Sequence, residues 1–304
     1  MRHLSNAFLI ISLSLFAAIL VSCSDDKVNN AVDVTEAQYK QMQTLTDSTL
    51  IPVALGLLTS GMSALDGVSA SDYGLGKAAT PDGDSAFIVY HPLSGWWEAY
   101  VSLSSEAETV PYYELVVRDS VQFKSIDGSN QIGPNDSTDF VHEIPRVSAF
   151  TNSEETTISV DARNDVIYDN LQSDVANING EVRCQIAIQL DTLGETIAGT
   201  VTATLEADDL EIPIPNSDDD DVCPLSGVLT YTIVENFTSQ FVSHEVRNTT
   251  WSIRLTIVDP DTYLVKITAG EIEFDEYQLD QEHVCQPSSA GGAIGKTIDL
   301  IRNR

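Results

Sequence analysis

From about residue 86 onward the chain alternates apolar and polar residues with a period of two, and it keeps this habit almost to its end. A period of two is the spacing of side chains on one face of an extended strand, so the pattern commits most of the chain to β-structure with one buried and one wet face. Trp97, Ala99, Val101 and Leu103 fall on one face. Tyr113, Leu115, Val117, Val121 and Phe123 form a second such set, opposed by Glu114, Arg118, Gln122 and Lys124. The same reading predicts strands over residues 144–150, 156–163, 181–191, 196–207, 227–235, 250–258, 262–269 and 271–278. In 196–207, Ile197, Val201, Ala203 and Leu205 line one side and threonines the other.

The connections are short. Leu193-Gly194-Glu195 and Asp259-Pro260-Asp261 are turn-forming sequences between successive alternating runs, which makes them hairpins. Consecutive hairpins build an antiparallel meander, and ten or so strands curl or close. The expected fold is therefore mainly β: a large curved antiparallel meander or incomplete barrel with an N-terminal helix packed on it. The alternative is two successive β-sandwich domains divided near 172–180. Trp96 and Trp97, as neighbours in a strand, must point to opposite faces; one of them is expected to be exposed or covered by the helix.

The helical segment is residues 35–66. Asp33-Val34-Thr35-Glu36 fits a capping box, and Ala37, Met42 and Leu45 begin an apolar stripe. Pro52 is expected to break or kink the helix near Leu50. Val53-Ala54-Leu55-Gly56-Leu57-Leu58 through Met62 and Leu65 is apolar enough to demand a sheet to lie against.

The first 22 residues have the build of an export signal: Arg2 at the start, then an apolar run over residues 7–21 (AFLIISLSLFAAILV). That run falls short of the roughly 20 residues that cross a bilayer as a helix. It ends in Leu20-Val21-Ser22-Cys23, which resembles the lipobox of bacterial lipoproteins. The resemblance implies cleavage before Cys23, acylation of its thiol and amine, and attachment to a bacterial membrane, since two or three acyl chains hold stably where one does not. An uncleaved membrane helix and an ordinary cleaved signal are the competing readings. Ser24-Asp25-Asp26-Lys27 resembles the surface-export signals of Bacteroidota lipoproteins, and equally serves as a solvated tether. No aspartate directly follows Cys23, which favours the outer membrane. The organisation is thus a signal (1–22), a tether (23–34), a helical segment (35–66), a β domain (67–288) and a C-terminal tail (289–304).

Charge narrows the partners. The chain carries 46 acidic and 15 basic residues, a net charge of −31. Such a chain repels nucleic acid and anionic lipid, which are bound through Lys and Arg, so no nucleic-acid partner is expected. The remaining partners are the membrane, through the N-terminal lipid, and a hydrophobic small molecule or another envelope protein.

Besides Cys23 there are Cys184, Cys223 and Cys285. Cys184 shares its strand face with Val182, Ile186, Ile188 and Leu190 and should point into the core. Cys223 and Cys285 both sit beside Pro-containing turns, and in an oxidising compartment they are expected to pair. The alternative is three free thiols.

Motifs for chemistry are few. Ala290-Gly291-Gly292-Ala293-Ile294-Gly295-Lys296-Thr297 approximates a phosphate loop, but alanine stands where the first glycine belongs and too little chain follows to supply the helix. G-x-S-x-G and H-E-x-x-H are absent, and His91, His142, His244 and His283 lack ligand spacing. Asp218, Asp219, Asp220 and Asp221 are the weak candidates for a metal, with Ca²⁺ as the cation that oxygen ligands suit; the EF-hand spacing is missing, and a solvated loop is the default. Asp82-Gly83-Asp84 reads first as a turn. No cofactor and no catalytic residue is predicted. The expectation is a membrane-anchored cell-envelope protein with a non-enzymatic binding or structural role; the alternatives are a carrier holding a hydrophobic ligand in the sheet's concavity, and an envelope hydrolase.

Overall fold

The computed structural model describes residues 34, 36–55, 58, 85–105, 112–135, 137–153, 155–192, 195–214, 221–239, 247–281 and 284–287. Cys23, Asp33, Thr35, Asp82 to Asp84, Asp218 to Asp220, His244, His283 and the tail lie outside the described residues. No described helix is long and apolar enough to cross a membrane.

Strand alternation becomes one antiparallel sheet of 14 strands. In chain order the strands are β1 (Ser85–His91), β2 (Trp96–Ser104), β3 (Tyr112–Ser125), β4 (Asn130–Gln131), β5 (Thr138–Glu143), β6 (Arg146–Asn152), β7 (Thr156–Asp169), β8 (Val175–Thr192), β9 (Glu195–Pro213), β10 (Asp221–Val222), β11 (Ser226–Ser239), β12 (Arg247–Asp259), β13 (Thr262–Ala269), β14 (Ile272–Glu273), β15 (Tyr277–Leu279) and β16 (Gln286–Pro287). The path runs β1-β2-β3-β5-β7-β8-β9-β11-β12-β13-β14, with β6 between β3 and β7, and β4 and β15 at the margins. Among the described residues, β10 and β16 stand apart from that sheet as a two-stranded ribbon.

The two-sandwich alternative is not what forms. β8 runs through the expected boundary, pairing with β7 from Thr156↔Leu190 to Asp169↔Asn177 and with β9 along nearly its whole length. Gly180 keeps this strand continuous. It adopts φ +151° at the irregularity between Ile178 and Gly180, and a Cβ there would come within 2.2 Å of the Asp165 carbonyl. The predicted hairpins are both present, closing on Thr192↔Glu195 and Asp259↔Thr262.

Two strand predictions need correction. β5 was not expected, and the run 144–150 starts two residues late, because Pro145 has no N–H for the ladder. β5 and β6 nevertheless keep one register against β3, with Val121↔Glu143 on one side of the interruption and Arg118↔Arg146 on the other. The run 271–278 is two short pieces, β14 and β15, both paired to β13.

The helix α1 (Glu36–Leu45) passes into a wide π turn, Thr46–Leu50, and helical residues continue over 51–55. Pro52 therefore does not break the helix. Its ring would collide with the carbonyl four residues earlier, and the wider turn just before it, in which the Ile51 N–H donates to the Thr46 carbonyl, relieves that clash without ending the helix.

One apolar cluster joins helix and sheet. Leu50, Ile51, Ala54, Leu55 and Leu58 are buried with Ile178, Cys184, Ile186, Leu205, Leu229, Ile253 and Tyr263 among others. The helix is tied to the far end of the sequence: Tyr231 Oη donates to the Leu50 carbonyl at 2.8 Å, Tyr277 Oη to Asp47 at 2.6 Å, and Tyr39 stacks on Phe274 at 4.0 Å. Cys184 lies in the core as predicted, and burial raises its thiol to about 11.

Candidate functional site

Residues paired across strands share a face, so the register sorts every side chain to one side of the sheet or the other. The inner face is the apolar cluster. Its polar exceptions concentrate at one place, beside the Ile144-Pro145 interruption. Asp119 and Asn164 occupy the positions flanking Pro145 on β3 and β7, and the oxygens Asp119 Oδ1 and Asn164 Oδ1 are buried without a hydrogen-bond partner. The reason is local: the residue between them is a proline, which offers no donor. Glu143 stands one step along, diagonal to Asp119.

Burial pushes Asp119 up to about 6. Burial, and then the neighbouring Asp119, push Glu143 up to about 8. Tyr168 on the same face is raised too, by burial first and then by Glu143. These carboxyls bind protons more tightly folded than unfolded. Their contribution to stability is fully present below the unfolded values near pH 4 and is lost as pH rises through 6 and then 8. Between pH 6 and 8 the protein is thus expected to lose about 1–2 kcal/mol through Glu143. Urea titrations of the wild type and Glu143→Gln at both pH values check this: the variant should lose most of the slope, and an equal slope in both would show that Glu143 ionises freely.

The outer face carries a different arrangement. Reading straight across neighbouring strands, Tyr100 pairs with Arg118, Arg118 with Arg146, Arg146 with Arg163, and Arg163 with Arg183. Four of the chain's 15 basic residues therefore stand in a single row over β3, β6, β7 and β8, and all four are exposed. Arg163 donates to Asp165 Oδ2 at 2.7 Å, and the Arg118 guanidinium lies 5.6 Å from the centre of the Tyr100 ring. Among the described residues, Arg118, Arg146 and Arg183 form no ion pair. Two residues further along the strands runs a row of carboxylates: Asp165 pairs with Glu181, and Glu181 with Glu206.

Shallow depressions flank the arginine row on both sides. One, of about 340 Å³, is lined by Val116, Ser148, Phe150, Ser159, Asp161 and Gln185 among others. The other, of about 360 Å³, is lined by Arg163, Asp165, Ile167, Asn179, Gly180 and Glu181. Beside the second, His142 Nε2 meets Asp165 Oδ1 at 2.8 Å, and Trp96 meets the His142 ring edge-on at 5.0 Å. Burial alone would raise Asp165, but hydrogen bonds and charge from His142 and Arg163 outweigh it and hold the carboxyl below its usual value.

The predicted site residues are scattered or lie outside this region. Cys223 and Cys285 are bonded, with Cα atoms 4.3 Å apart, and stand next to the β10–β16 ribbon. Asp221 belongs to β10, and Asp218, Asp219 and Asp220 lie outside the described residues. Among the described residues no group of three His, Cys, Asp or Glu is placed to hold a metal. His91 is 3.3 Å from Glu98, and His142 belongs to the Asp165 network. The tryptophans split between faces as expected: Trp96 meets His142, while Trp97 packs on the core, contacts Tyr90 and donates Nε1 to the Ile132 carbonyl at 2.5 Å. The arginine row went unseen in the sequence, because its members become neighbours only through strand register. No protein family, curated protein or solved structure matches the chain.

Proposed function

We propose that this chain is a lipid-anchored protein of the bacterial cell envelope, held at the outer membrane through Cys23, with a binding role exercised by the outer face of its sheet. The observation that carries the binding role is the arginine row: exposed cations opposite one another across four strands, in a chain whose net charge is −31. Like charges directly opposite one another weaken a sheet, so the row costs stability that folding alone does not require. The inner face supports the same reading. Ile51, Ala54, Leu55 and Leu58 are at most 2% exposed within the apolar cluster, so the helix occupies space that a carrier would leave for its ligand.

A hydrolase is the second reading, and it rests on the two raised carboxyls, Asp119 and Glu143, on adjoining strands. Against it, both depressions described above open on the opposite face from that pair.

The anchor is tested by detergent phase separation of the protein expressed with its own N-terminus in a bacterium. The wild type is expected in the detergent phase and Cys23→Ala in the aqueous phase. Wild-type protein found wholly in the aqueous phase, with an unacylated N-terminal peptide by mass spectrometry, would end the assignment.

A further inference from the structure

We propose that the arginine row binds a linear acidic polysaccharide, whose uronate carboxylates sit between neighbouring guanidinium groups while its chain runs across the strands. This gives the ligand class for the binding role above and rests on that role, though not on the anchor.

The spacing comes from the sheet. Adjacent strands lie about 4.8 Å apart, so Arg118, Arg146, Arg163 and Arg183 place four guanidinium groups over about 14 Å, of which Arg163 also holds Asp165. A carboxylate has two oxygens and the guanidinium a planar fork of donors, so a carboxylate lying between two arginines can be held by both. The inner face fixes the register through the row Val117, Val147, Ala162 and Cys184, and any polar residue would satisfy the outer positions. Arginine at four successive outer positions is therefore not a by-product of folding.

The surroundings select the shape of the anion. The parallel row Asp165–Glu181–Glu206 lies two residues away, or about 7 Å. It would repel a broad anionic surface such as a bilayer, while leaving a lane about one group wide over the arginines. The lane continues past Arg183 as hydroxyls: Thr204, Thr232, Ser252 and Thr268 follow in the same register. Cations followed by hydroxyls in one line suit a ligand that carries carboxylates and hydroxyls in repeating units. An acidic peptide fits less well. Peptides join sheets at a free edge through main-chain hydrogen bonds, and β6, β7 and β8 are interior strands with their ladders filled.

The test uses the full chain and four probes: a short oligogalacturonate, its methyl ester, polyglutamate, and phosphatidylglycerol vesicles. The oligogalacturonate is expected to bind, more weakly as salt is raised, and the uncharged ester is not. Arg118→Gln/Arg146→Gln should weaken binding by about tenfold or more, and Arg183→Gln should act in the same direction from the other end of the row. Thermal melting of these variants should be unchanged or raised, since the substituted residues are exposed and mutually repelling. The proposal is overturned if oligogalacturonate does not bind, if the ester, polyglutamate or vesicles bind as tightly, or if folded variants bind like the wild type. A chain that partitions into detergent yet binds none of the probes would lose this ligand class and keep its place in the envelope.

Discussion

Leu55→Ala is expected to cost about 2–5 kcal/mol of folding stability, the largest effect of any single truncation in the N-terminal helix. Leu55 is 1% exposed, as is Ile51 one turn before it, and Ala54 is fully covered. The loss combines the transfer of a leucyl side chain back to water with the cavity left behind, because helix and sheet are held at several other points and collapse only partly. Those points are long-range: Tyr231 to Leu50, Tyr277 to Asp47 and Tyr39 on Phe274 span most of the described chain. Lys40→Ala serves as the control. Lys40 is exposed, and among the described residues its side chain pairs with Glu36 one turn away, an interaction that solvent screens. Urea denaturation followed by tryptophan fluorescence measures both. A Leu55→Ala midpoint close to that of Lys40→Ala would mean that the helix merely rests on the sheet.

Breaking the Cys223–Cys285 bond is expected to be nearly as severe. The bond closes a loop with a sequence separation of 62. Such a loop restricts the unfolded chain by about 4 kcal/mol in the chain-entropy description. The native surroundings leave little room to relax after reduction. Val284 is fully buried, and the Val284 and Cys285 amides both donate to the Gln281 carbonyl. The fully covered Tyr263 bonds to the Pro260 carbonyl at 2.6 Å within 4.0 Å of Cys285 Sγ. Cys223→Ser/Cys285→Ser should therefore melt well below the wild type, and a reductant should lower the wild type to match. Cys184 is no substitute partner, since it is buried on β8 within the core. Equal melting of oxidised wild type and double variant would show that the bond constrains nothing the fold does not already hold.

Period-two alternation suffices to place nearly every long strand, because a half-buried strand writes its faces into adjacent residues: β13, with alternate residues buried from Tyr263 to Ala269, is the clearest case. It fails where the chain departs from regularity for a chemical reason. Pro145 removes a donor and hides β5, and the residues it leaves unanswered, Asp119 and Asn164, become the polar spot of the inner face. At Pro52 the helix does not break, and the irregularity expected near Leu50 takes the form of a π turn over Thr46–Leu50. The disulfide was legible from two cysteines that each stand beside a Pro-containing turn. The arginine row was not: successive members of Arg118, Arg146, Arg163 and Arg183 are 17 to 28 residues apart and resemble ordinary outward-facing strand positions.

What the sequence determined by itself is local: strand faces, turns and the apolar helix, each set by residues close together along the chain. What only the tertiary structure decided is which strands lie side by side and in what register. Register is a property of pairs of strands, chosen by the fit of their buried faces, and the outer residues are carried along with that choice. The line of cations on the outside is therefore visible only once the inside has been packed.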